Sequence, residues 1–160
     1  MNNLNKLYDE VIRRHNSQPY HFEKKTEASK SIQAYNPICG DRFDLFLEIS
    51  PQQISTIHFH GFGCAVSKAS SSVLVKTLEG KSIAEAKEIC DQFLRLLKNE
   101  LRPDEKLLFD EFNSFSIVQE IPARYDCAAL PWGEVQKFLN ESIWNRVLFG
   151  NAFEFGRFAR

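Results

Sequence analysis

The chain has 160 residues, 20 basic and 21 acidic side chains, a formal net charge of −1 and 43% hydrophobic residues. A single domain of this length buries roughly two thirds of its unfolded surface, so it can fold without disulfides or a metal. The mixed charges form no phosphate-neutralising stripe, which argues against nucleic acid as a partner. No apolar run approaches the roughly twenty residues of a membrane span. Residues 1–6 lack signal-peptide features and four cysteines are too few for a disulfide scaffold, so we expect a soluble protein of the reducing cytoplasm.

The first third of the chain predicts one helix and two strands. Apolar residues recur at helical spacing from Leu4 to Ile12, and we expect this amphipathic helix to end near His15 and to pack on a sheet. Residues 21–35 are polar without a clear period, which indicates a mobile loop. Apolar and polar side chains then alternate over 43–49 and 57–60, predicting neighbouring antiparallel strands that are each half buried.

The rest of the chain is mostly helical. Two glycines end the second strand, and apolar spacing over 66–78 predicts a helix that begins at or beside Cys64. A Ser-x-x-Glu capping box then opens a helix whose apolar stripe covers 83–101, before Pro103 ends it. A short helical signal and a polar turn follow over 104–120.

Apolar spacing from Val135 to Ile143 predicts a closing helix that extends as far as Phe149. We therefore expect one domain over 1–149 and a tail of unassigned role over 150–160. The predicted fold class is α+β, with a small, mostly antiparallel sheet covered on one face by helices. The sequence contains no internal repeat.

Three cysteines and one aspartate stand where the chain passes from one element to the next. Cys39 and Asp41 precede the first predicted strand, Cys64 follows a Gly-x-Gly turn, and Cys127 lies just ahead of the last helix. Thiolates and a carboxylate suit tetrahedral zinc or an iron-sulfur cluster. Because buried free cysteine is also a common small apolar residue, packing is the alternative interpretation. The pattern indicates metal-linked sulfur chemistry.

Other reactive side chains have simpler interpretations. Cys90 lies on the apolar stripe of the 83–101 helix, as a packing residue would. His58 and His60 share a strand face and are alternative zinc ligands, although polar residues on a solvated face give the same pattern. The serine run 70–72 indicates a small-residue packing surface. The chain has neither the G-x-S-x-G motif of serine hydrolases nor the P-C-x-x-C motif of zinc deaminases.

Several motifs together resemble one known family. They are NPICGD at 36–41, GFGCAVSKAS at 61–70, GKS at 80–82, and PAR at 122–124 leading to Cys127-Ala128. The chain resembles the U-type iron-sulfur assembly proteins, which share the NifU N-terminal or IscU-like fold, and most closely the SufU-type zinc-dependent sulfurtransferases. The resemblance runs from Leu4 to about Phe138, and the long connection between Cys64 and Cys127 favours the SufU type.

The resemblance implies a zinc site, a partner and a reaction. Cys39, Asp41, Cys64 and Cys127 would bind one zinc, and a pyridoxal-phosphate cysteine desulfurase would deliver persulfide sulfur to Cys39. Arg124 matches a family arginine associated with desulfurase docking. The chain would then act as a zinc-dependent sulfurtransferase that passes sulfur to downstream iron-sulfur assembly proteins.

Two alternatives to this function stay open, together with the role of one residue. The same ligands could instead build a transient [2Fe-2S] cluster on a scaffold with iron as the metal, or the zinc could be structural in a protein-binding module. Asp126 stands where scaffold-type relatives have histidine and SufU-type relatives commonly have lysine. We interpret Asp126 as a group beside the ligands or facing solvent, and Asp41 as the ligand.

Overall fold

A computed structural model describes residues 9–141 of the chain. Its elements confirm the α+β class. In chain order they are α1 (Glu10–Ser17), β1 (Lys30–Tyr35), β2 (Arg42–Ile49), β3 (Ile54–Phe62), α2 (Ala65–Leu78), α3 (Ile83–Leu97), 3-10 segments at Asp110–Glu120 and Pro122–Arg124, and α4 (Tyr125–Asn140). None of the helices in this part of the chain is long and apolar enough to cross a membrane.

The three strands form one antiparallel sheet in the order β1-β2-β3. Leu45 faces Ile32 on one side and Phe59 on the other, and all three side chains are buried. Side chains directly opposite each other point to the same face of a sheet, so this apolar set faces the core. Helices α2 and α4 contact that face through β3 and β1. The predicted pairing of β2 with β3 is confirmed, as is the helical cover on one face.

The expectation of a loop throughout 21–35 is wrong for its second half, which forms β1. Ile32 and Ala34 are buried and alternate with exposed Ser31 and Gln33, so the strand has a period of two. Only two buried residues mark this edge strand, a signal too short to separate from the polar residues before it.

Helix α1 packs mainly on α2, and not on the sheet as expected. The reason is a polar junction beneath it: buried His15 lies 2.7 Å (Nδ1) from Ser72 Oγ and hydrogen-bonds Glu111 through Nε2. Neutral His15 donates from Nε2 to the Glu111 carboxylate, so its Nδ1 accepts the Ser72 hydroxyl, and Ser72 Oγ in turn accepts the backbone N–H of Tyr20 at 2.8 Å. Ser72 therefore connects α1 to α2, a polar role that differs from the expected small-residue packing surface.

We expect this junction to make the protein less stable below about pH 6.5. Burial lowers the pKa of His15 from 6.5, and this effect exceeds the opposing attraction of Glu111. The unfolded chain therefore binds a proton at His15 more readily than the folded protein does. As a result, the free energy of unfolding falls as the pH drops below the pKa of His15 in the unfolded chain, towards its lower pKa in the folded protein. Urea unfolding between pH 7.5 and 5 should show this slope, and His15→Gln should reduce it. His58→Gln, at a half-buried histidine whose pKa burial also lowers, is the matched control and should reduce the slope less.

Helices α2 and α3 begin where the sequence predicts. Cys64 is the N-cap of α2, and Ser82 with Glu85 forms the capping box of α3. Helix α3 ends at Leu97, earlier than Pro103. Asn99 adopts a left-handed conformation (φ 57°) and the Glu100 N–H bonds to the Arg95 carbonyl at 2.8 Å, which closes the helix with a Schellman motif.

The predicted helical signal within 104–120 corresponds to the 3-10 segment Asp110–Glu120. Phe112 and Phe115 from this segment contact Phe93, which also stacks on the fully buried Trp132 of α4. This aromatic cluster fixes α4, and therefore its first turn, against α3. The predicted extension to Phe149 and the tail lie outside the described residues.

Candidate metal centre

The structure brings the predicted ligands together at one end of the sheet. Cys39 and Asp41 lie in the loop that joins β1 to β2, and Cys64 caps α2 directly after β3. Cys127 is the third residue of α4, so it lies within the first helical turn and not ahead of it. The ligand atoms of Cys39, Asp41 and Cys127 lie within 4.8 Å of one another. Cys64 lies outside that group of three, but its thiol is close enough to Cys127 to help raise the pKa of the Cys127 thiol, so it borders the same cluster.

Backbone hydrogen bonds shape the loop that presents Cys39. The Asn36 N–H donates to the Asp41 carbonyl at 2.9 Å, and the Gly40 N–H donates to the Asn36 carbonyl at 2.8 Å. Gly40 has φ +80°, a conformation that suits glycine. The closed loop leaves Cys39 exposed at its tip and turns Asp41 inward, where that side chain is only 4% exposed.

Gly63 lets the β1–β2 loop and the start of α2 approach each other. A Cβ atom at Gly63 would lie 2.9 Å from Asp41 Oδ1 and 2.5 Å from Ser67 Oγ, closer than real side chains pack. The missing side chain therefore allows the carboxylate of Asp41 to reach the start of α2. There Asp41 Oδ1 accepts the backbone N–H of Cys64 at 3.0 Å.

The second carboxylate oxygen of Asp41 is the observation that best fits a metal ligand. Oδ2 is buried and has no hydrogen-bond partner among the described residues. Burying a carboxylate oxygen without a partner is costly, and a metal ion would satisfy it. Three thiolates and one carboxylate form a complete tetrahedral set for zinc and are also acceptable to iron. The residues present therefore fit a metal.

The two most buried thiols have very different surroundings. Burial raises the pKa of Cys127 to about 12, with a further contribution from Cys64, while a hydrogen bond from Arg124 acts in the opposite direction. Burial also raises the pKa of Cys90, whose side chain is completely buried within the apolar core. Cys90 has no part in the cluster, in agreement with its predicted packing role.

The remaining candidate residues are His58, His60, Asp126 and Arg124. His58 and His60 are not in the metal-ligating group found among the described residues; His58 stacks on His21 and His60 contacts Phe22. Asp126 is exposed, as expected for a group facing solvent. Arg124 is half-buried and contacts Cys127 by a hydrogen bond, nearer to the ligands than a purely peripheral charge.

Two features of the site are not among those predicted from the sequence. Ser67 is fully buried with its backbone N–H 3.4 Å from Cys64 Sγ, and its position three residues after the helix N-cap is the signal that could have revealed it. Apolar side chains also frame the site: Ile38 is 91%, Phe62 66% and Tyr35 52% exposed. No sequence signal separates these from core residues, because their exposure depends on where the strands end.

This chain is thus a small α+β domain that carries a cluster of cysteine and aspartate side chains at one end of its sheet. Residues 7–111 match the family described as the NifU-like N-terminal domain. The chain belongs to this family, which confirms the resemblance found in the sequence.

Named relatives and solved structures agree with this membership. The chain is 31% identical over 142 residues to the "iron-sulfur cluster assembly scaffold protein IscU" of Streptococcus pyogenes serotype M1, covering 89% of this chain and 88% of that protein. It is 29% identical over 135 residues to the "zinc-dependent sulfurtransferase SufU" of Bacillus subtilis (strain 168), covering 84% and 90%.

The fold is also seen in crystal structures. One is a protein described as an iron-sulfur cluster assembly scaffold for the SUF system from Fervidobacterium islandicum AW-1, with a TM-score of 0.74, 28% identity, and coverage of 81% of this chain and 94% of that chain. A NifU-like N-terminal domain from Brucella abortus has a TM-score of 0.73 at 19% identity, covers 85% and 94%, and supports the fold alone.

Proposed function

We propose that this protein functions in iron-sulfur cluster assembly, as a zinc-bound acceptor of persulfide sulfur. The observation that supports this most directly is the contrast within the cluster. Cys39 is exposed, whereas Asp41 and Cys127 are buried within 4.8 Å of it. An exposed cysteine ligand can dissociate from the metal and react with a partner protein, while the less exposed ligands keep the metal bound.

Cys39, Asp41, Cys64 and Cys127 would bind the zinc. When bound, zinc keeps its sulfur ligands in the thiolate form and suppresses their nucleophilicity until they are released. This applies to Cys127, because burial raises the pKa of its thiol and otherwise favours the protonated form.

The reaction is a thiol-persulfide exchange with a pyridoxal-phosphate cysteine desulfurase. The Cys39 thiolate attacks the terminal sulfur of the desulfurase persulfide, forming a new sulfur–sulfur bond as the original one breaks. The desulfurase cysteine leaves as a thiolate and takes a proton from water, and Cys39 becomes the persulfide. The sulfane sulfur keeps its oxidation state, so neither an oxidant nor a reductant is needed. Downstream iron-sulfur assembly proteins would take the sulfur from Cys39.

The surroundings of Cys39 suit such a partner. Tyr35 and Phe62 both pair with Arg42 in the sheet register, so the three residues lie side by side on the outer face at the metal end. Ile38 directly precedes Cys39 and is almost fully exposed. Exposed apolar side chains gathered around a reactive thiol are typical of a protein-docking surface.

Arg124→Ala is expected to weaken desulfurase binding by about tenfold with nearly normal zinc content, because Arg124 is not itself a ligand and its positive charge would act mainly on association with the partner. Binding is measured by titration against the desulfurase and zinc by elemental analysis, with Arg124→Lys as the charge-conserving control. Loss of zinc in Arg124→Ala would instead assign the arginine to support of Cys127, which it contacts.

A scaffold function on the same residues is the second candidate, because the Streptococcus relative is named as a scaffold at 31% identity. The deciding experiment mixes the purified protein with a cysteine desulfurase and cysteine. Sulfur acceptance predicts stimulated alanine release and a persulfide on this chain. A scaffold predicts visible cluster absorption after anaerobic reconstitution, followed by transfer to an acceptor. A structural zinc predicts neither result.

A further inference from the structure

The sulfur of Cys64 is surrounded by hydrogen-bonding groups from one residue, Ser67. The Ser67 N–H donates to Cys64 Sγ at 3.4 Å, and Ser67 Oγ lies 3.5 Å from the same sulfur. We propose that Ser67 is a positioning residue that keeps Cys64 as a permanent ligand of the metal and leaves Cys39 as the displaceable one. This inference rests on the proposed function and deepens it, since it explains which thiolate is released.

The hydrogen atoms at this position can be assigned for both states of the sulfur. In the thiol form, Cys64 donates to Ser67 Oγ, and the Ser67 hydroxyl donates to the Cys64 carbonyl at 3.1 Å. That carbonyl also accepts the Lys68 N–H at 3.0 Å. A metal-bound sulfur has no proton and can only accept. The Ser67 hydroxyl can then turn to the sulfur, because the Lys68 N–H still satisfies the carbonyl.

Packing fixes Ser67 in the position that this requires. Ser67 is completely buried, and its carbonyl accepts the hydroxyl of Ser71 at 2.9 Å. The space occupied by Ser67 Oγ exists because residue 63 is glycine, whose Cβ would lie 2.5 Å from that oxygen. The hydroxyl therefore has little freedom other than rotation of its own proton.

Two hydrogen-bond donors to one metal-bound thiolate lower the nucleophilicity of its sulfur. Charge-assisted hydrogen bonds withdraw negative charge from sulfur, and such outer contacts tune the ligand they touch. Cys64 should therefore be the less nucleophilic thiolate, while Cys39 at the exposed tip of its loop reacts first. The distinction between the carrier and the retained ligands then comes from Ser67 as well as from exposure.

The test measures alkylation of each cysteine in the zinc-loaded protein by iodoacetamide, followed by peptide mass analysis. Cys39 should react first in the wild type. Ser67→Ala should raise the Cys64 rate about tenfold, as expected for loss of one hydrogen bond to a charged group, and leave the Cys39 rate unchanged. In the cobalt-substituted protein the same variant should shift the sulfur-to-cobalt charge-transfer band. Thr77→Ala removes a buried hydroxyl near the other end of α2, where it donates to the Val73 carbonyl at 2.8 Å, and is the matched control that should change neither reading.

An unchanged Cys64 rate and an unchanged cobalt band in metal-loaded Ser67→Ala would overturn the role of Ser67 and leave the proposed function intact. A wild-type protein that binds no zinc would overturn both. If Ser67→Ala does not fold, Ser67→Thr decides, since it keeps the hydroxyl. A wild-type rate at Cys64 supports the inference, and a raised rate with full zinc contradicts it.

Discussion

Cys39→Ser is expected to abolish persulfide acceptance while most of the zinc stays bound. Cys64→Ser and Cys127→Ser should instead lose zinc and sulfur acceptance together. The reason is the difference in burial, because Cys39 is exposed, Cys64 is half-buried and Cys127 is only 3% exposed. Only a ligand that can leave the set is able to transport sulfur. Sulfur transfer is measured by thiol labelling and peptide mass analysis, and zinc by elemental analysis.

Cys90→Ser is the matched control for these variants. Cys90 lies in the apolar core outside the cluster, so this variant should keep both zinc and sulfur acceptance, with some loss of stability from placing a hydroxyl in the core. Transferred sulfur found on Cys90 in the wild type would show that the carrier has been assigned to the wrong cysteine.

Asp41→Ala is expected to reduce zinc affinity by more than about 100-fold, since even outer contacts of a metal ligand are worth about 10–100-fold. The structure adds a reason for a large effect, because Asp41 also accepts the backbone N–H of Cys64 through Oδ1. Asp41→Asn separates the two functions, since the amide keeps one acceptor oxygen. Its zinc affinity should still fall, while the free energy of unfolding of the metal-free protein changes less than in Asp41→Ala.

Asp126→Asn is the matched control for the carboxylate at position 41. Asp126 is exposed, so its charge is screened by solvent and the zinc affinity should stay within about threefold of the wild type. Competition titrations with a chromophoric chelator measure all of these affinities. An affinity that collapses in Asp126→Asn and survives Asp41→Ala would mean that the carboxylate ligand is Asp126.

Much of the fold and of the site was predictable because local patterns determine them. The alternation in β2, the capping box at Ser82 and the N-cap at Cys64 are local signals, and each appears in the structure as expected. β1 was missed because its period depends on two buried residues at a sheet edge. The packing of α1 was wrong because His15 finds Ser72 and Glu111 only in three dimensions.

The candidate site likewise combines features set by local sequence with features set by long-range packing. The positions of the predicted ligands at element boundaries made the approach of Cys39, Asp41 and Cys127 foreseeable. The buried, unpaired oxygen of Asp41 and the contact of Arg124 with Cys127 were not foreseeable, because each depends on how α2 and α4 pack beside the β1–β2 loop. The contact of Ser67 with Cys64 is local, and the helix cap is the signal for it. Long-range packing therefore determines the burial of Asp41 and Cys127, whereas the surroundings of Cys64 also depend on a residue of its own helix.

Metal analysis combined with zinc X-ray absorption on freshly purified protein tests the central claim most directly. We expect about one zinc per chain, with zinc–sulfur distances of about 2.3 Å and one zinc–oxygen distance of about 2.0–2.2 Å. We expect Asp41 to supply that oxygen through its buried Oδ2, which has no hydrogen-bond partner among the described residues. Folded protein that contains no zinc and takes up none when it is added would contradict the account.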